Sequence, residues 1–517
     1  MCYHRILWLL AFFYFRLVAF CFFLLNWPRR KRSVSVASDP RLLKSAVRLR
    51  AEFLARKLRC SELVSAFIGR ILEVDPEINA VAVENFAEAM RVAEEHDRLL
   101  NSLDDEGLKK LFAERPLFGI PFTSKDSIAV EGLPITVGIP SRLKKKCTRD
   151  ATVIQRMKEA GAIHLAVTNV PELLLFMETA NNAYGRTRSP FDLRRSPGGS
   201  SGGEGALLAA GGAVCGLGSD IGGSVRRPAI FNGLFGWRPS NGIVPPDGHL
   251  PETFNDAGDR SQLFVMGPIC RFLEDLVPAL SPEKSRTLLR LDEQVDLSSL
   301  DFFYLENFGG ATVIEPPDAA MRASLQKALR ALEERIGKKA TRIAFADLEA
   351  AFGICLASLA APEGPSFAEH LADGEGSVDL WPEIAKGLLG LSEHTLPALL
   401  QALLEKTFPM SPQRRAELLS RRERLRGELL ALLGERGVLL LPGFAHSARF
   451  HGHSYLTLPN VAYTAIWNAL RVPTLACPTG RSPEGLPTAV QLVAAPFADR
   501  LLLATARILT DHFGATE

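Results

Sequence analysis

No two cysteines in this 517-residue chain stand at metal-binding or redox spacing; Cys2, Cys21, Cys60, Cys147, Cys215, Cys270, Cys355 and Cys477 are scattered singly. That spacing encodes neither a zinc site nor a disulfide scaffold, and it fits free thiols in a reducing compartment. Charge of one sign is not in excess either. The 60 basic side chains face 58 acidic ones and leave a formal charge of +2. The basic footprint of a nucleic-acid binder is absent, so no nucleic-acid partner is expected. Internal repeats, low-complexity tracts and N-x-S/T acceptors do not occur. Hydrophobic residues at 47% and charged residues at 23% match the globular average and exclude an intrinsically disordered protein.

What is present begins with an apolar run. Residues 6–27, ILWLLAFFYFRLVAFCFFLLNW, hold only Arg16 and Asn26 as strongly polar members. As a helix they rise about 33 Å, enough for a bilayer core of about 30 Å. A cleavable signal peptide has a shorter apolar region and a small-x-small cleavage site. Here Pro28 and the basic run Arg29, Arg30, Lys31 and Arg32 follow directly. Arg16 near the centre costs about 2.5–3.5 kcal/mol on insertion scales, which leaves tilted or monotopic insertion open beside a single pass. The basic run outweighs His4 and Arg5 and places the rest of the chain in the cytosol. The expected organisation is a membrane anchor with its basic flank at 1–32, a linker at 33–42 and one large domain at 43–517.

Within that domain helical and strand patterns alternate, which argues α/β. Ser61 is placed to cap a helix carrying Val64, Phe67, Ile68 and Ile71 on one face, closed by Asp75-Pro76. Ala80–Arg98 reads as a second amphipathic helix. Apolar runs at Ile163–Thr168, Ala213–Leu217, Arg342–Ala346 and Val438–Leu441 read as buried strands. Residues 383–408 carry Leu388, Leu389, Leu391, Leu396, Leu399, Leu400, Leu403 and Leu404, broken by Pro397. Core helices and a shallow membrane-facing hairpin both fit that composition.

The densest glycine region runs from Pro197 to Gly242. A P-loop needs a lysine after its second glycine, and none is there. A dinucleotide fingerprint needs a third glycine where Ile221 stands. The nucleophile-elbow pattern G-x-S-x-G does occur, around Ser200 and again around Ser201, with His446, His451 and His453 downstream as partners.

The same stretch resembles the amidase signature family. The resemblance rests on Gly198-Gly199-Ser200-Ser201-Gly202-Gly203 and Asp220-Ile221-Gly222-Gly223-Ser224-Val225-Arg226, with an upstream Pro-Phe-Thr-Ser-Lys125-Asp segment. Similarity runs from about residue 43 to the carboxyl end, and it includes Thr168-Asn169-Val170-Pro171-Glu172 and Gly485-Leu486-Pro487. It implies an α/β fold with a large twisted mixed sheet wrapped by helices. It also implies a serine hydrolase with catalytic Lys125, Ser200 and Ser224, in need of no metal or other cofactor. With the apolar amino terminus it is most similar to the branch that hydrolyses fatty-acid amides at membranes of the endoplasmic reticulum or lipid droplets. Fatty-acid amides and the lipid membrane are then the expected partners, with a homodimer left open. Other members of the family cleave soluble amides or act as glutaminase-type amidotransferase subunits; a catalytically silent membrane-anchored binding protein would normally have lost one of the three residues.

These residue types suit that chemistry. A serine hydroxyl is a weak nucleophile until a base removes its proton, and lysine can do so only when neutral. Model lysine titrates near about 10.4, so Lys125 must be desolvated; the apolar strand end Gly119–Ser124 before it supplies such a setting. The resemblance implies that Ser200 relays the proton between Lys125 and Ser224 across a cis Gly199–Ser200 peptide. Gly222 and Gly223 would let successive amides turn inward, giving an oxyanion hole from Ile221, Gly222, Gly223 and Ser224. Leu174 falls where the family lines its acyl tunnel, and Leu174 and Ser200 are the expected substrate contacts. Asp220 and Arg226 are expected to hold the loop as an ion pair, Ser201 to cap the helix that follows it, and the Trp237-Arg238 pair to affect local packing alone.

Overall fold

Short strands rich in branched and small residues build the centre of the molecule. In the computed structural model the described residues are 2–252, 259–280, 283–360 and 364–514; the side chains of residues 1–8, His4 and Arg5 among them, lie outside the description. The strands are β1 Val81–Glu84, β2 Pro121–Lys125, β3 Ile163–Thr168, β4 Ala180–Asn181, β5 Gly185–Arg186, β6 Cys215–Asp220, β7 Phe235–Arg238, β8 Val265–Cys270, β9 Asp301–Tyr304, β10 Thr341–Arg342, β11 Gly437–Pro442, β12 Thr474–Arg481 and β13 Pro487–Val493. All but the β4–β5 pair join one sheet in the order β1-β3-β2-β6-β8-β7-β12-β13-β11-β9-β10. Pairing is parallel across β3, β2 and β6 and across β11, β9 and β10, and antiparallel elsewhere. Every residue of β2, β3, β6, β8, β11 and β13 is buried, as strands covered on both faces require. Helices Gly202–Ala209, Ala319–Ile336 and Asp499–Phe513 pack against the sheet. This is the α/β class expected from the alternating pattern and the large mixed sheet implied by the family resemblance.

Several local expectations give way to tertiary contacts. The helix expected at Ser61 spans Cys60–Ile78, and its free amides at Cys60 and Ser61 are taken by Asp97 of a later helix at 2.6 and 3.1 Å. A distant carboxylate thus replaces the cap expected of Ser61. That helix also passes Asp75-Pro76 and stops at left-handed Asn79, because Asp75 instead accepts the amides of Ala80 and Val81. The stretch read as one helix from Ala80 is split: its start pairs with β3 as β1, and the helix occupies Phe86–Ser102. Of Arg342–Ala346 only Arg342 is strand, in the two-residue edge strand Thr341–Arg342.

The apolar amino terminus is a helix, Cys2–Asn26, whose Leu10, Phe13, Leu17, Phe20 and Leu25 are exposed. It touches the rest of the chain where Tyr14 Oη donates to Leu456 O at 2.8 Å and the Phe22 ring meets His453. The chain then follows the body closely. Val34 N–H donates to Pro190 O, and buried Arg70 reaches Ser35 O at 2.5 Å.

Residues 383–408 cover most of one helix, Leu380–Leu388, a turn and a second helix, Leu396–Thr407, with Pro397 in the first turn of the second. Their leucines divide. Leu399 is buried in a second apolar cluster with Val170, Leu173, Leu174 and Phe176, while Leu388, Leu389, Leu391, Leu400 and Leu404 are exposed.

Candidate active site

Lys125 ends β2, and β6 runs parallel beside it with Ser124 opposite Leu217. The carboxyl ends of two parallel strands therefore bring Lys125 next to Ser219 and Asp220, the usual position for a site in such sheets. Lys125 Nζ lies 2.7 Å from Ser200 Oγ, 2.9 Å from Ser219 Oγ and 3.4 Å from Ser219 O. Its side chain is fully buried. Burial pushes its pKa down to about 7, against the attraction of Asp220, Glu204 and Asp126. An amine of that pKa is substantially neutral at physiological pH and can accept a proton from a hydroxyl in contact with it.

Ser200 follows a cis Gly199–Ser200 peptide. A Cβ on Gly199 would stand 2.7 Å from Phe176 O, so only glycine fits there. Ser201 N–H donates to Ser224 O at 3.2 Å, which sets the two serine-bearing segments side by side. Arg227 clamps them further, donating to Gly199 O at 2.8 Å and to Gly222 O at 2.9 Å. Gly223 has φ +108, and a Cβ there would run into Thr464.

The loop carrying Ser224 hangs from Asp220. Its Oδ1 accepts from Gly223 N–H at 2.7 Å and its Oδ2 from Val225 N–H at 3.1 Å. Arg226 pairs with the same carboxylate through Nε and Nη2, both at 3.0 Å. Burial alone would raise the Asp220 carboxyl, but Arg226 beside it holds it well below the usual carboxylate range. With Gly223 N–H committed to Asp220, the amides of Ile221, Gly222 and Ser224 find no acceptor among the described residues.

The remaining sequence candidates are dispersed. Leu174 is buried with φ 62, beside Leu173 at φ 52, in the cluster beneath the leucine-rich hairpin. Ser201 stands at the N-cap position of Gly202–Ala209, but its hydroxyl makes no cap bond, and its buried Oγ has no partner among the described residues. His446 and His451 face Glu315 and Glu178, and His453 lies under Phe22. None of the three is bonded to Ser200, Ser201 or Ser224 among the described residues, so the elbow arrangement is not formed. Trp237 and Arg238 are buried packing residues bonded to Asp499 and Val472 O. No cluster of three or more His, Cys, Asp or Glu suited to a metal occurs among the described residues.

Sequence reasoning missed Glu204, Arg227, Ser219 and His249. Glu204 lies behind the lysine, accepting from Thr123 at 2.6 Å and Thr168 at 2.9 Å, and burial pushes its pKa up to about 8. Its position three residues after Ser201 was the available signal. His249 gave none, since only the fold brings it to Ser219.

The family model for amidases matches residues 62–503. Fatty-acid amide hydrolase 2-A of Danio rerio is 38% identical over 512 residues, covering 96% of this chain and 94% of that protein. Fatty-acid amide hydrolase 2 of Homo sapiens is 38% identical over 487 residues, covering 92% and 90%. Among solved structures, a fatty acid amide hydrolase superposes with a TM-score of 0.72 at 23% identity, over 92% of this chain and 86% of that one.

Proposed function

The chain belongs to the amidase signature family and is an amide-hydrolysing enzyme; from that premise we propose that it is a membrane-anchored serine hydrolase cleaving fatty-acid amides, primary amides and N-acylethanolamines among them, to free fatty acid and amine. The observation that carries the reading is the 2.7 Å contact of Lys125 Nζ with Ser200 Oγ in a fully buried setting, on a chain 38% identical to fatty-acid amide hydrolases 2.

The proposed steps conserve every proton. Neutral Lys125 takes the hydroxyl proton of Ser200 as Ser200 Oγ takes that of Ser224. Ser224 Oγ bonds to the substrate carbonyl carbon, and the carbonyl oxygen becomes an oxyanion facing the amides of Ile221, Gly222, Gly223 and Ser224. Of these the Gly223 N–H is shared with Asp220. One such donor is typically worth about 2.7–4 kcal/mol of transition-state stabilisation. When the carbon–nitrogen bond breaks, the proton returns from Lys125 through Ser200 to the leaving amine. Water then repeats the path on the acyl-enzyme, releases the acid and restores all three side chains.

Lipid substrates are favoured by two apolar surfaces. The exposed helix within 1–32 is proposed as the anchor, 33–42 as the connecting segment and 43–517 as a cytosolic catalytic domain. The hairpin of Leu380–Leu388 and Leu396–Thr407 is proposed as a second, shallow membrane contact above Leu174, whose cluster would receive the acyl chain. The short helix His453–Leu456 lies between the two surfaces: Tyr14 of the anchor bonds Leu456 O, and Tyr455 packs on Phe176 of that cluster. The purified full chain should release oleate from an oleoyl amide, and Ser224→Ala should not. Equal turnover by both would refute the nucleophile; turnover of short soluble amides alone would refute the lipid substrate.

A further inference from the structure

Ser200 is not the only polar neighbour of Lys125. Ser219 Oγ, 2.9 Å from Lys125 Nζ, also lies 3.0 Å from His249 Nε2. The histidine is held there by the backbone on either side of it: Gly248 O accepts from Ala129 N–H at 2.8 Å and Leu250 N–H donates to Ser127 O at 2.9 Å. The imidazole rests on Phe264 with ring centroids 4.5 Å apart. Lys125, Ser219 and His249 are all buried.

With Lys125 as the base, counting hydrogens sets the direction of these bonds. A neutral amine carries two N–H bonds and one lone pair. If the lone pair receives the Ser200 proton, the two N–H bonds are left for Ser219 Oγ and Ser219 O. Ser219 Oγ, accepting from Lys125, must send its own hydrogen elsewhere, and His249 Nε2 is the acceptor within reach. That requires a neutral imidazole with its hydrogen on Nδ1. Burial and the nearby Lys125 keep His249 neutral, pushing its pKa well below the usual value. Without the imidazole, the nearest acceptor for the Ser219 hydrogen is the lysine lone pair itself, in competition with Ser200.

We infer that His249 is a positioning residue which, acting through Ser219, turns the lone pair of Lys125 toward Ser200. The inference rests on Lys125 being the base. Asp126, Glu204 and Asp220, the carboxyl groups facing Lys125, are untouched by the variants below.

His249→Phe keeps a ring on Phe264 and removes the acceptor, whereas His249→Gln supplies an amide oxygen in its place. His249→Phe should lower kcat at least about tenfold with KM changed less than about twofold. It should also move the acid limb of the kcat profile to lower pH, since Ser219 then bonds better to the neutral amine than to the ammonium. His249→Gln should recover most of the loss. In a Ser219→Ala background, His249→Phe should cost nothing further. Unchanged kcat in His249→Phe, equal impairment of His249→Phe and His249→Gln, or a full loss persisting without Ser219 would each overturn the inference. Should His249→Phe fail to fold, Ser219→Ala carries the test. It must lower kcat and shift the limb by itself, and an unchanged enzyme overturns the inference. Failure of the underlying reading looks different: Lys125→Ala would then keep wild-type kcat.

Discussion

Asp220 and Arg226 form a two-point ion pair, Oδ2 to Nε and Oδ1 to Nη2 at 3.0 Å each, with neither side chain exposed. The carboxylate of that pair also holds the amides on either side of Ser224, so it fixes the loop as well as neutralising a charge. Arg226→Leu would leave Asp220 buried and unpaired, at a cost of about 3–5 kcal/mol. Denaturant unfolding should show that loss, and stability within about 1 kcal/mol of wild type would mean the pair holds little.

The pH dependence follows from Lys125, whose ordinary value is lowered to about 7 by burial. With Lys125 as the proposed base the neutral amine is the active form, so activity should be present above that pH and fall about tenfold per unit below it. A kcat/KM profile from about pH 5 to about pH 9 checks the sign. A profile falling with rising pH through neutrality would exclude a lysine base.

The proposed anchor and body should be separable, and the contacts of residues 33–42 bear on where the chain is cut. Ser35 accepts from Arg70 and Ala37 is buried, so a chain beginning at Leu43 would lose the Ser35 acceptors of buried Arg70, which keeps Ala210 O and Glu73. A chain beginning at Arg29 should keep wild-type turnover of a soluble amide and be released from carbonate-washed membranes that retain the full chain. Retention of both would show that the helix is not the anchor.

The leucine-rich hairpin gives a paired test. Leu388 is 71% exposed and Leu399 fully buried. Leu388→Glu should leave the melting temperature unchanged, as surface substitutions cost within about 0.5 kcal/mol, and should weaken binding to liposomes. Leu399→Glu should collapse the fold, because an unpaired buried carboxylate is far more costly. Undiminished liposome binding by Leu388→Glu in the chain beginning at Arg29 would remove the hairpin from the membrane contact.

Sequence made the sheet strands and the glycine-rich loops legible because their signals are local. A strand buried on both faces reads as an apolar run, and Gly199 and Gly223 stand where no side chain fits. Signals that depend on distant partners were illegible. Asp97 caps a helix 36 residues before it, β1 exists only because β3 lies beside it, and His249 reaches Ser219 from 30 residues away. The leucines of 383–408 were ambiguous in composition because the hairpin uses one face for packing and the other for the surface.

The proposed chemistry depends on which serine is activated. Labelling the full chain with an alkyl fluorophosphonate and mapping the modified peptide by mass spectrometry tests this most directly. The phosphonyl group is predicted on Ser224, with labelling lost in Lys125→Ala and rising with pH through about 7, the value set by burial of the lysine. A label on Ser200 or Ser201, or undiminished labelling without Lys125, would contradict the account.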